Sequence, residues 1–210
     1  MSSTKSPTNG RQNKAKAAPP ADGALKGLDE AAARIGRGPA PVHLWNPPDC
    51  GDIDMRIAAD GTWFYCGSPI GRLPLVQLFA SILRKDSDRY VLVTPVEKVG
   101  IRVDDAPFLA VEMRVRGDGG GDSRLTFRTN VEEIVTVDEQ HPLRFETGAA
   151  GGLKPYVQVR GDLWALVKRA LFYDLVDIGA IERWSDGAWF GVRSSGLFFP
   201  MCPASEIEGL

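Results

Sequence analysis

From Gly51 to Met201 most stretches able to bury a face are short, and turn signals close them. Ile53, Met55 and Ile57 alternate with polar residues, the period of a half-buried strand. Asp60-Gly61 is a hairpin signal, and Thr62–Tyr65 supplies a return strand. Further strands are expected at Tyr90–Thr94, Lys98–Val103, Phe108–Val115, Arg124–Thr129 and Val131–Val137, with Asp104–Pro107 turning between two of them. Short strands joined by turns predict an antiparallel meander. Two helices interrupt the pattern. Leu75, Leu78, Phe79, Ile82 and Leu83 line one face of a helix over Leu73–Arg84, with Pro74 tolerable in the first turn. After a strand at Tyr156–Val159, Asp162 is placed to cap a helix with Leu163, Leu166, Val167, Ala170, Leu171 and Leu175 on one face. Strands Ile181–Trp184 and Ala188–Phe190 flank Asp186-Gly187, and Leu197–Met201 closes the fold.

The fold class is therefore α+β: two similar small units of antiparallel strands with one main helix each, plus an N-terminal helix. The units are expected over 51–116 and 117–202, between a 23–50 helix-and-arm segment and a polar tail at 203–210. Strand-then-helix occurs at 63–84 and again at 156–176. Asp60-Gly61-Thr62-Trp63-Phe64 and Asp186-Gly187-Ala188-Trp189-Phe190 also share D-G-x-W-F. Duplication explains both patterns. The competing explanation is that hairpins commonly use Asp-Gly followed by aromatic residues.

Upstream the chain changes character. Residues 1–22 have no aromatic residue and no apolar period and read as a disordered tail. Asp22–Ile35 reads as a short amphipathic helix with Leu25, Leu28, Ala32 and Ile35 on one face. Pro39, Pro41, Pro47 and Pro48 then forbid a central strand or helix interior, so an extended arm anchored by Trp45 is expected. Residues 1–42 hold seven basic and three acidic groups; the remainder holds 18 and 24. An acidic body is a poor nucleic-acid binder, because that affinity comes from phosphate neutralisation. No apolar run approaches the ~20 residues of a membrane span, and no signal-peptide pattern opens the chain. Cys50, Cys66 and Cys202 make no C-x-x-C, so a reducing cytoplasm and small buried thiols are expected.

Chemistry-bearing motifs are sparse. His43 and His141 sit in no metal-ligand spacing, and no nucleophile elbow, Walker A loop or dinucleotide fingerprint occurs. No metal or cofactor is expected. A metal site on His43, Cys50, Asp52 and Asp54 is outweighed by their reading as turn residues at a strand entrance. The candidate ligand-binding set is Arg72, Glu97, Lys98, Asp105, Asn130 and Arg160, polar residues between apolar strands. Arg72 and Arg160 each stand before an expected helix, where a guanidinium and helix N–H groups suit a carboxylate or phosphate. The competing reading pairs each arginine with Asp54, Glu97 or Asp105. Those three acids are also the only defensible acid–base groups.

Several segments together resemble the bacterial domain-of-unknown-function family 1285. They are Pro41–Pro48, Cys50–Met55, Asp60–Phe64, Pro69–Arg72, Leu92–Lys98 and Asp104–Phe108. The resemblance runs over about 39–202. It implies an α+β protein with repeated motifs, no assigned activity, and a suggestion of signalling or small-ligand binding. The expected function is a non-enzymatic ligand-binding or signalling module taking a small anionic ligand, as a monomer or homodimer. The alternatives are an enzyme using carboxylate acid–base groups on a small polar substrate, and an interaction protein docking through its N-terminal arm.

Overall fold

The computed structural model describes residues 40–117, 122–148, 151–185 and 187–207. The expected tail over 1–22, the helix over Asp22–Ile35, most of the Gly-rich loop and Asp186 lie outside those residues. The first sheet collects β1 (Asp49–Ile57), β2 (Trp63–Tyr65), β3 (Ser68–Pro69), β4 (Leu83–Asp86), β5 (Arg89–Val93) and β6 (Lys98–Val103), with α1 (Leu73–Ser81) between β3 and β4. Its order is β3-β2-β1-β6-β5-β4. Two antiparallel meanders meet at a parallel β1–β6 pair.

The second sheet collects β7 (Phe108–Arg116), β8 (Arg124–Thr129), β9 (Ile134–Thr136), β10 (Leu143–Thr147), β11 (Leu153–Arg160) and β12 (Leu163–Val167). From its other edge the order is β9-β8-β7-β12-β11-β10, again with a parallel central pair, β7–β12. Strand for strand this is the topology of the first sheet. The chain ends in α2 (Arg169–Asp177) and an antiparallel sheet of β13 (Ala180–Trp184), β14 (Gly187–Ser194) and β15 (Leu197–Pro203). Duplication is thus present, but not where D-G-x-W-F placed it. Asp60-Gly61 joins β1 to β2, whereas Gly187 opens β14 in the third sheet. The architecture is α+β with strands dominant.

Four expectations are corrected. The strands are not one antiparallel meander, because each sheet closes on a parallel pair. Strand β7, grouped by sequence with the first unit, pairs in the second sheet. The first helix stops at Ser81, and Leu83 opens β4 fully buried. The segment 163–167 is a strand, not a helix. Leu163, Ala165 and Val167 are buried and alternate with half-buried Trp164 and Leu166. An apolar run sandwiched between β11 and β7 satisfies the strand period as well as the helical one, and sheet pairing decides it. Asp162 therefore caps no helix. It accepts Lys85 at 3.1 Å and the Trp164 indole N–H at 3.3 Å.

The core is built from Ile57, Trp63, Phe79, Leu83, Phe108, Leu125 and Phe127, each under 2% exposed. Each such side chain contributes roughly 1.5–3 kcal/mol by leaving water. The arm is anchored mainly by Arg84, which donates to the carbonyls of Val42 (2.6 Å) and Trp45 (2.7 Å). All three cysteines are free, and Cys50 and Cys66 are exposed rather than buried. Cys66 lies in a turn at φ 48°, and Cys50 sits at the exposed start of β1. No helix among the described residues is long and apolar enough to cross a membrane.

Candidate functional site

The two sheets meet along a polar seam beside α1. Asn130, just after β8, accepts the Leu109 N–H at 3.0 Å and donates to the Gly61 carbonyl at 3.2 Å. It thereby ties the β1–β2 turn to the second sheet. Gly61 must be glycine for two reasons. Its φ is +81°, and an added Cβ would stand 2.7 Å from Asn130 Nδ2. Along α1, Gln77 donates to the Val131 carbonyl at 3.3 Å. At the helix's far end Arg160 donates to the Ala80 carbonyl at 2.5 Å.

An open hollow of about 210 Å³ lies against this seam, lined by Gly61, Thr62, Trp63, Ile70, Gly71, Leu73, Val76 and Asn130. Trp63 is 1% exposed and stacks on Phe79 with centroids 6.0 Å apart, yet among the described residues its indole N–H has no hydrogen-bond partner. Arg72 stands at the rim between two lining residues and precedes the first turn of α1. It is exposed, and among the described residues its guanidinium is in no ion pair.

The structure brings only Arg72 and Asn130 of the candidate set to this hollow. Arg160 ends β11 rather than entering a helix, so it is no counterpart of Arg72. It pairs with Glu133 at 3.2 Å, not with Asp54, Glu97 or Asp105, and lies 5.3 Å over the Phe108 ring. Burial pushes the Glu133 carboxyl up against the pull of Arg160, and it lowers the Arg160 guanidinium. Lys98 binds Asp86 at 3.0 Å, and Asp86 also takes Arg84 at 2.6 Å, so this cluster braces the arm. Arg84 and then Lys98 hold the Asp86 carboxyl below its ordinary range. Glu97 follows a Thr94 turn, with its N–H donating to Thr94 Oγ1 at 3.1 Å. Asp105 in the linker accepts Lys154 at 2.6 Å and the Tyr156 hydroxyl at 2.7 Å. Burial, then that bond, raises the Tyr156 phenol.

Glu97 and Asp105 flank opposite ends of β6, with Asp54 midway along β1. Asp52, proposed beside His43 and Cys50, is taken by Arg89 at 2.5 Å. Among the described residues no three His, Cys, Asp or Glu side chains gather at metal distance. Sequence reasoning missed Thr62, Trp63, Ile70 and Val76 as a lining. Their only sequence signal was a hairpin and a helix start, and Asn130 lies 69 positions from Gly61.

The family model for the DUF1285 N-terminal domain matches residues 40–106, and that for its C-terminal domain matches 107–201. The chain belongs to the DUF1285 family. The boundary between the two DUF1285 domains falls in the linker that separates β6 from β7. A crystal structure of a DUF1285 family protein from Silicibacter pomeroyi DSS-3 is 55% identical, with a TM-score of 0.79 over 87% of this chain and 97% of that one. Another, from Shewanella baltica OS155, is 29% identical, with a TM-score of 0.48 over 60% of this chain and 92% of that one. A search of curated proteins finds no match.

Proposed function

We propose that this protein is a non-enzymatic module that binds a small anionic ligand in the hollow between α1 and the β1–β2 turn. The observation that carries this reading is a small concave site with polar groups left over. The Trp63 indole N–H is buried without a partner among the described residues, a condition that costs free energy unless something accepts from it. Arg72 at the rim supplies a cation in no ion pair among the described residues, and the N-terminal end of the α1 dipole adds positive potential. Ile70, Leu73 and Val76 provide the apolar part of the lining. Binding there would clamp the β1–β2 turn against Asn130, so ligand occupancy and the contact between the two sheets are coupled. That coupling is what a signalling module needs.

The test is thermal unfolding with acetate, succinate and inorganic phosphate as probes. A ligand at one hundred times its Kd stabilises by about 2.7 kcal/mol, and each kcal/mol moves Tm by roughly 2–4 °C in a chain of this size. At least one probe should give a saturable rise that Arg72→Glu abolishes. Saturable rises that Arg72→Glu leaves intact would refute the site, and no rise with any probe would refute the ligand class.

A further inference from the structure

We infer that the solvent face of β7, β8 and β9 is a docking surface for an acidic segment of a partner protein. Residues directly opposite one another share a face. The register pairs Arg116 with Arg124, Arg114 with Thr126, Glu112 with Arg128, and Arg128 with Ile134. Four arginines therefore stand on one face of three strands. Arg114 and Arg128 share Glu112 at 2.8 Å each, and Arg128 also reaches Glu132 at 2.7 Å. Arg116 and Arg124 are exposed directly across from one another, and among the described residues neither meets a carboxylate.

Like charges directly opposite each other destabilise a sheet. The body as a whole is acidic, with 24 acidic against 18 basic groups over 43–210, so concentrating cations on this face is a local departure from its charge. An anionic partner would relieve the repulsion. A second feature on the same face identifies the partner's chemistry. A dimple of about 50 Å³ lies among Arg114, Thr126, Arg128 and Ile134 over the buried Phe127 ring, with Glu112 in its wall already paired to both arginines, and Ile134 is 69% exposed. An apolar side chain flanked by carboxylates fits that arrangement, and β9 is an edge strand open to an extended chain. A single-stranded nucleic acid fits it less well. No aromatic side chain on this face offers a stacking platform, and the acidic body repels a long polyanion.

The experiment is fluorescence anisotropy with the full chain and three labelled probes. They are a 12-residue Asp/Glu peptide with one central leucine, the same peptide with serine at that place, and a 12-mer oligo-dT. The leucine peptide is expected to bind saturably at low salt, to weaken as salt rises, and to lose at least tenfold in affinity with the double variant Arg116→Glu, Arg124→Glu. Ile134→Asp should remove the advantage of leucine over serine, whereas Arg72→Glu at the hollow should change nothing. Both arginines are exposed, so Tm of the double variant should match the wild type. The inference is overturned if the leucine peptide does not saturate, if the charge-reversed variant binds it equally, or if oligo-dT binds as tightly as the peptide.

Discussion

Asn130 is the residue on which the junction most depends. One amide side chain satisfies the Leu109 N–H and reaches a carbonyl of the other sheet. Its value lies in the groups it leaves unpaired when removed. Asn130→Ala is expected to lower stability by about 1–3 kcal/mol, the cost of stranding part-buried backbone groups. Urea unfolding measures this; a change below about 0.5 kcal/mol would show that water replaces the amide without cost. Sequence alone marked Asn130, Arg72 and Arg160 as polar residues between apolar strands. What it could not supply was their partners. Arg160 meets Glu133 and the Ala80 carbonyl, 27 and 80 positions away, and no local pattern encodes such distances. Trp63 was legible as a strand residue, but that its indole N–H is left without a partner among the described residues is a property of the packed structure.

The elements that sequence placed well are β-rich runs bounded by turn signals. Strand β8 carries clean alternation, and β5, β6 and β7 are short β-branched or apolar runs whose ends turns fix. Failures cluster where both faces are covered. Leu83 and the run 163–167 are apolar for the sheet interior, and there strand and helix periods are indistinguishable. Strand β10, which sequence left unassigned, is mostly exposed and charged, so it lacked any apolar signal. The linker between the domains holds through Asp105, which binds Tyr156 and Lys154 of β11. Burial and that bond raise the folded-state Tyr156 phenol above its unfolded value. A group shifted this way contributes stability that is intact below its unfolded pKa, near pH 10, and is lost as pH rises beyond it. Tyr156→Phe should therefore be less stable than wild type at pH 7 by about 1.5–3 kcal/mol, the worth of a bond to a charged group. That gap should narrow above about pH 10. Urea unfolding of both proteins at pH 7 and pH 10.5 checks this, and a gap of constant size would contradict it.

At the scale of the whole molecule, the same six-strand topology occurs twice, each time closed by a parallel pair between the first and last strand. Neither sequence pattern marked this repetition: the second strand-then-helix at 156–176 falls on β11, β12 and α2, and Gly187 of the second D-G-x-W-F opens β14 in the third sheet. The copies differ where function is proposed. Helix α1 lies between the third and fourth strands of the first sheet, and the short connection from β9 to β10 contains no helix. That inserted helix supplies Leu73, Val76 and the Arg72 rim of the hollow.

The claim that the hollow holds the ligand is tested most directly by the five tryptophan indole N–H resonances in a nitrogen–proton correlation spectrum of the labelled protein. Each is assigned by a Trp→Phe variant, and whichever of acetate, succinate or phosphate stabilises the protein is titrated in. The account predicts that the Trp63 indole resonance moves furthest and saturably, with Trp164 and Trp184 nearly still. A saturable titration that leaves Trp63 in place would contradict it.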